Sequence, residues 1–417
     1  MYKYANIIPL IGGMTIANKQ ATDKDPEFIV SWDAFGSNDS HIVNYLEEVP
    51  YHVLPSDTNG DKITEELKNF WFEKLDFVST VCPCAGLSML NNATNSASAR
   101  GSDAAQNDWM YKSANWVLEN LRPKVFWGEN APGLYTKVGH GVRKNLKEIA
   151  RNHGYSFSIV KTDTYEHGIP QHRRRTFYFL WRGTNAPLIP YRERTEDDLK
   201  LADYLSLIPE SAEYQDKFFT RNHPVTEWKL YEYVLEKTGL SDKDFRKSYL
   251  GALYHYISKK GWIDDAIKWM DKNYPGYEGE ERTKLDHIKK KLSQGKGFWD
   301  SSPFFVSDHV NAIIGKNMHV IVHPTEDRFL NIRECMWLMG LPHDFTLNKD
   351  NEVWNHICQN VPVSTAKNFT EYVLQYCDGE LKDSGNSFVM QDCLGKKITH
   401  AESELKEAKK LKVNPVI

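Results

Sequence analysis

DFVSTVCPCAGLS, residues 76–88, is the stretch whose reading decides the architecture. Phe77 to Val81 is a short apolar run rich in β-branched residues, of a length that suits a buried strand. Pro83 stiffens the turn that follows, and Gly86 lets the backbone pass close to a ligand. The same grammar recurs on either side. Ile7 to Ile11 stops at Gly12-Gly13, Phe28 to Trp32 stops at Asp33, and Val125 to Trp127 runs into GENAPGL. Helical spacing appears from Tyr111 to Leu121 and from Val142 to Asn152, and further strands are expected at Phe157 to Val160 and Thr176 to Trp181. Strands alternating with helices predict an α/β fold with an open, mostly parallel sheet over residues 1–189. Ligands of such sheets sit beyond the carboxyl ends of the strands, where each of these loops falls.

The rest of the chain divides by composition. Residues 190–302 carry lysines and aromatics at helical spacing, around Trp228 to Leu235, Phe245 to Ile257 and Ile263 to Met270, and read as a largely helical insertion. Residues 303–375 return to mixed α/β character. Residues 376–417 read as an extension with a charged amphipathic segment from about His400 to Leu411 and a solvent-facing helix as the default. The net charge of -4 excludes a uniformly basic coat but not a basic cleft. The six cysteines form no C-x-x-C pair, so neither a zinc site nor any other metal is expected. With no signal peptide and no long apolar run, a cytoplasmic protein with reduced thiols is expected.

Three segments carry candidate chemistry. Cys84 follows a strand and a proline, which suits a soft nucleophile that must later leave; a buried packing cysteine is the alternative. Glu129 and Asn130 end another strand, where a carboxyl could protonate a ring nitrogen or merely cap a helix. Gln171, Arg173 and Arg175 alternate, so one strand would carry all three on a single face, toward a ligand or toward solvent. Asp33, after the second strand, has a carboxylate that can accept two hydrogen bonds, and either it or Asp57 could be an ordinary turn aspartate.

Taken in order, these segments resemble the cytosine-C5 DNA methyltransferase family. Pro83-Cys84, Glu129-Asn130-Ala131 and Gln171-x-Arg173-x-Arg175 match its Pro-Cys, Glu-Asn-Val and Q-x-R-x-R motifs. LRPKVFWGENAPGL and HGIPQHRRRTFYFL match their flanks. NIRECMWLMGLPHDF, with Arg333-Glu334 and Gly340 to Phe345, and ICQNVPVSTAKNF, around Gln359 to Pro362, match the closing motifs. The departure is NIIPLIGG: Gly12 and Gly13 fit the family's D-x-F-x-G-x-G-G loop, but Asn6, Ile8 and Leu10 replace its Asp, Phe and first Gly. In this the chain looks closer to methyltransferases carried by bacteriophages.

The resemblance implies a Rossmann-like methyltransferase sheet and S-adenosylmethionine as cofactor, held by Ile11, Gly12, Gly13, Asp33, Asp57, Pro83, Asn360 and Val361. It implies Cys84, Glu129, Arg173 and Arg175 as catalytic residues, with Ser88, Arg100, Asn130 and Gln171 at the substrate. Residues 85–105 resemble the family's mobile loop, and the insertion occupies the place of its target-recognition region, where Lys289, Lys290, Lys291 and Lys296 could track phosphates or form a solvated helix face. The implied partner is double-stranded DNA, bound by a monomer without a membrane. RNA cytosine methylation, a modified donor that adds a larger group at C5, and a catalytically silent DNA-binding relative are the rivals, with a redox role for Cys82 and Cys84 behind them.

Overall fold

The computed structural model describes residues 2–56, 61–88, 101–209, 224–315, 318–347 and 353–399. The chain forms two compact units, Met1–Ile169 with Arg173–Asp198 and Met339–Ile417, and Pro170–His172 with Leu199–Leu338.

In the first unit, apolar runs become strands and amphipathic segments become the helices between them. β1 (Tyr4–Ile7), α1 (Gly13–Thr22), β2 (Phe28–Trp32), α2 (Gly36–Tyr45), β3 (Tyr51–Leu54), α3 (Lys62–Trp71), β4 (Phe77–Val81), α4 (Asp108–Asn120), β5 (Val125–Asn130), α5 (His140–Asn152) and β6 (Tyr155–Asp163) follow in order. β1, β2, β4 and β5 are buried along their whole lengths, as strands of a sheet covered on both faces are, with Asn6, Ser31, Ser79 and Thr80 buried among their apolar residues. Asp61 starts α3 by accepting the Thr64 amide at 2.8 Å, which satisfies one of the free N–H groups of a first turn.

The chain then makes β7 (Gln171–His172), which belongs to the second unit, and returns as β8 (Arg174–Arg182). The second unit holds α6 (Leu201–Leu205), α7 (Lys229–Thr238), α8 (Asp242–Ser248), β9 (Gly251–Ala252), α9 (Leu253–Lys259), α10 (Ile263–Asn273), α11 (Glu280–Ser293), β10 (Phe304–Phe305), β11 (Val310–Asn311) and α12 (Ile332–Trp337). It is largely helical, as its lysine- and aromatic-rich spacing predicts. Its boundary differs from the one read in the sequence: the chain re-enters the first unit at Met339 rather than at 303. The reason is packing, since Phe305, Val320, Val322 and Phe329 lie in the same apolar cluster as Leu230 and Phe245. On α11, Lys289 is ion-paired with Asp264 at 2.7 Å on an exposed face.

Back in the first unit, α13 (Val353–Gln359) and α14 (Val363–Cys377) precede β12 (Phe388–Asp392) and β13 (Lys397–Thr399). The sheet order is β13-β12-β6-β8-β5-β4-β1-β2-β3. β3, β2, β1, β4 and β5 are parallel neighbours, and β8 is antiparallel to both β5 and β6. Order reverses at β1, which stands between β2 and β4, so the carboxyl ends of β1 and β4 flank a topological switch point. The extension is corrected here: residues 388–399 form a hairpin whose β12 pairs parallel with β6, and the amphipathic segment beyond it lies outside the described residues.

Candidate active site

The loop from Ile8 to Gly13 joins β1 to α1 and is tightly constrained. Ile8 and Leu10 hold φ of 46° and 51°, left-handed values that cost an L-residue about 1–2 kcal/mol each. The Leu10 amide donates to Asp39 Oδ1 at 3.0 Å, and the Gly13 amide donates to Asn360 Oδ1 at 2.8 Å. Gly12 sits at φ 111° against the Ile42 side chain. A Cβ on Gly13 would lie 2.2 Å from the Val361 carbonyl oxygen, so only glycine admits this approach. Asn360 is buried, and among the described residues its Nδ2 has no hydrogen-bond partner.

Asp33 follows β2 with an exposed carboxylate. The hydroxyl and amide of Ser56 donate to it and hold its pKa below the usual range. Lys112 Nζ in turn donates to the Ser56 carbonyl. Beside them, a cavity of about 530 Å³ is lined by Trp32, Leu54, Pro55, Asp61, Lys112 and Trp116, among others. A glycine cradle closed by a buried orphan amide, an adjacent acidic strand end and a cavity beside the ends of β2 and β3 fit an adenosyl cofactor.

Cys84 lies beyond the end of β4. It is half-buried, whereas Cys82 is enclosed, with its thiol against the hydroxyls of Ser113 and Tyr178 at 3.4 and 3.8 Å. Those contacts make Cys82 a packing residue rather than half of a redox pair. Pro83 and Ser88 are half-buried in the same loop, and Gly133 presses on it, since a Cβ there would meet the Leu87 carbonyl at 2.2 Å.

The strand register sets Val81 of β4 opposite Glu129 of β5, so the Cys84 loop and the Glu129 carboxyl arise from adjacent strand ends. Glu129 is 3% exposed and meets Arg175 Nε of β8 at 2.6 Å. Burial pushes its carboxyl upward, while the Arg175 and Arg173 charges pull it down. Burial, with the Glu129 charge, also raises the Cys84 thiol, and the same two arginines oppose the rise. Cys84, Glu129, Arg173 and Arg175 therefore share one electrostatic environment. Shielding the Glu129 charge therefore favours the Cys84 thiolate.

Other candidates sit differently from their sequence reading. Gln171, Arg173 and Arg175 do not share a strand face. Gln171 belongs to β7 of the second unit, where it is buried; Nε2 donates to the Leu338 carbonyl at 2.7 Å and Oε1 accepts the Ile313 amide at 3.1 Å. Arg173 lies between β7 and β8, fully buried, and donates to the carbonyls of Cys358 and Asn360, the latter at 3.2 Å. It buttresses the segment that brings Asn360 and Val361 to the glycine loop. Asn130 turns inward, its Oδ1 accepting the Ala131 amide at 2.9 Å and its Nδ2 facing Met110 Sδ at 3.4 Å. Asp57 and Arg100 lie outside the described residues.

Sequence reasoning missed Asp39, whose carboxylate is fully buried yet bonded to Leu10 and to the Tyr51 hydroxyl. It also missed a buried polar chain in which Asn6 and Asn18 both donate to Ser79 Oγ and Thr370 donates to Asn18. Asn6 was noticed only as a departure from a motif. Among the described residues no group of three His, Cys, Asp or Glu could hold a metal, and no helix is long and apolar enough to cross a membrane.

Comparison with known proteins agrees with this geometry. The family model of C-5 cytosine-specific DNA methylase matches residues 10–375. A type II methyltransferase, M.AgeI of Thalassovita gelatinovora, is 32% identical over 142 residues, 33% of this chain and 31% of that protein. M.NgoPII of Neisseria gonorrhoeae is 26% identical over 131 residues, 31% of this chain and 35% of that one. The matched stretches thus span about a third of these curated relatives. In fold, the chain is similar to a methyltransferase of Entamoeba histolytica, EhMeth, with a TM-score of 0.53 at 11% identity over 90% of this chain and 98% of that one. A chain encoded within an E. coli prophage gives a TM-score of 0.55 at 17% identity over 91% of this chain and 100% of that one. With the family model spanning both the glycine loop and the Pro-Cys turn, the chain belongs to the C-5 cytosine-specific DNA methylase family.

Proposed function

We propose that the protein methylates carbon 5 of cytosine in double-stranded DNA, with Cys84 as the covalent nucleophile. The observation that carries this reading is the pairing of adjacent strand ends: Val81 opposite Glu129, with Cys84 beyond the first and the Glu129–Arg175 contact on the second.

S-adenosylmethionine, when bound, supplies an electrophilic methyl group. Ile11, Gly12, Gly13, Pro83, Asn360 and Val361 would hold it, with Asp33 at the ribose. Cytosine C5 is unreactive until C6 is attacked, and its ring is inaccessible within a duplex, so the base must be flipped out. The Cys84 thiolate adds to C6 and the ring electrons move toward N3. Glu129, whose proton affinity burial has raised, gives its proton to N3. Arg175 keeps that carboxyl oriented and stabilises it once the proton has left. C5, now nucleophilic, takes the methyl group. Loss of the C5 proton to water restores the ring, N3 returns its proton, and the C6–sulfur bond breaks. Ser88 and Arg100 would meet the substrate. The largely helical second unit would read the target, with Lys290 and Lys291 on its phosphates.

The test is intact-mass analysis of the protein incubated with S-adenosylmethionine and duplex DNA containing 5-fluorocytosine, where fluorine blocks the final elimination. The expected product is a protein–DNA adduct carrying one methyl group. A heavier added group would reassign the donor, and no adduct on DNA of broad sequence content would reject the reaction. Glu129→Gln should slow adduct formation by about 10²- to 10⁴-fold and leave the affinity for S-adenosylhomocysteine within about twofold. Equal losses in both would remove Glu129 from the chemistry.

A further inference from the structure

Among the described residues two side chains from outside hydrogen-bond to the backbone of the cofactor loop, and only one of them lies in a family motif. Asn360 holds its far end at Gly13. The near end is held by Asp39 of α2, the helix that follows Asp33. Leu10 stands where the motif has glycine, and it adopts φ 51° all the same. A leucine has little reason to stay there unless something fixes its backbone. Asp39 Oδ1 accepts its amide at 3.0 Å, while Oδ2 accepts the Tyr51 hydroxyl at 3.0 Å. The carboxyl has no solvent exposure, so it is placed there at a desolvation cost that its hydrogen bonds must offset. The same helix packs Ile42 against Gly12. One element thus braces the loop twice, by a hydrogen bond at Leu10 and by contact at Gly12.

We infer that Asp39 is a positioning residue for cofactor binding, holding Leu10 in the left-handed conformation that a glycine would adopt unaided and so keeping the Gly12-Gly13 cradle in its binding shape. This rests on the reading of that cradle as the cofactor site. Burial lifts the Asp39 pKa to about 7, with Tyr51 and the Leu10 amide opposing the shift, so the group sits close to neutral and an uncharged amide can take its place.

The experiment is calorimetric titration of the full chain with S-adenosylhomocysteine, comparing wild type, Asp39→Ala, Asp39→Asn and Gly13→Ala. Asp39→Ala should bind about tenfold more weakly or worse, since a buried hydrogen bond is lost and Leu10 is released. Asp39→Asn should bind within about twofold of wild type, because its Oδ1 accepts the same amide. Turnover at saturating cofactor should be similar in wild type and Asp39→Asn, and Asp39→Ala should raise the KM for S-adenosylmethionine more than it lowers kcat. Should Asp39→Ala fail to fold, Asp39→Ser takes its place, being too short to span to Leu10. Wild-type affinity in the truncated variant, or equal weakening in the alanine and asparagine variants, would overturn the inference. If Gly13→Ala binds as wild type, the cradle reading itself has failed. If Gly13→Ala loses binding while the Asp39 truncation keeps it, only the role of Asp39 falls.

Discussion

Cys84→Ser forms no adduct with 5-fluorocytosine DNA and shows no detectable turnover, while DNA binding stays measurable. The change swaps one atom in a half-buried loop, so the fold has little reason to respond. The chemistry has every reason. Burial and the Glu129 charge already raise the thiol above its usual value, and the two arginines only partly compensate. A serine hydroxyl begins several orders of magnitude less acidic, and the same surroundings would hold it protonated throughout the accessible pH range. The wild-type rate of adduct formation should accordingly rise with pH as the thiolate fraction rises and fall again where Glu129 loses the proton it gives to N3. Intact mass with Cys84→Ser and a pH series with wild type check both. A Cys84→Ser protein that turns over normally would return Cys84 to the status of a packing cysteine.

Gly13→Ala weakens S-adenosylhomocysteine binding by about a hundredfold or more. The added methyl group would lie 2.2 Å from the Val361 carbonyl oxygen and 2.4 Å from Asn360 Oδ1. The first of these is backbone and cannot turn aside, so either the glycine loop or the Asn360–Val361 segment must move. Forcing extra volume into a packed interior costs about 1–3 kcal/mol, and both displaced segments belong to the proposed cradle. The Gly13–Asn360 hydrogen bond would go with them. Gly36→Ala is the matched control: nothing lies within 4 Å of its added carbon, and binding should not change. Calorimetry on the two variants separates a loss at the cradle from a general effect of glycine replacement.

What the sequence conveyed about this site follows the range of the interactions. The loops after β1, β2, β4 and β5 were legible because each is a local event, an apolar run broken by glycine, proline or aspartate. Glu129 could be singled out for the same reason, although β5 extends three residues further than its apolar run and buries the carboxyl. Gln171 could not be assigned from its spacing to Arg173 and Arg175. Its partners, Ile313 and Leu338, lie more than a hundred residues away, and they draw it into another unit. Arg173 looked like a ligand-facing cation, but its acceptors are main-chain carbonyls near the end of the chain, which no local pattern announces. Asp39 was invisible because an aspartate early in a helix is ordinary. What singles it out is the conformation of Leu10, a residue on another element.

The hairpin of β12 and β13 lies past the last residue matched by the family model. Without it β6 would end the sheet, with the backbone groups that point away from β8 open to a neighbouring molecule. β12 pairs with Phe157 to Lys161 of that edge, and its partner β13 is only three residues long. Gln391 also grips the main chain of Ile189 in both directions, accepting its amide at 2.9 Å and donating to its carbonyl at 2.8 Å, ahead of Asp198, where this segment of the first unit ends. Residues outside the span matched by the family model therefore cover part of the β6 edge and tie down the main chain at Ile189.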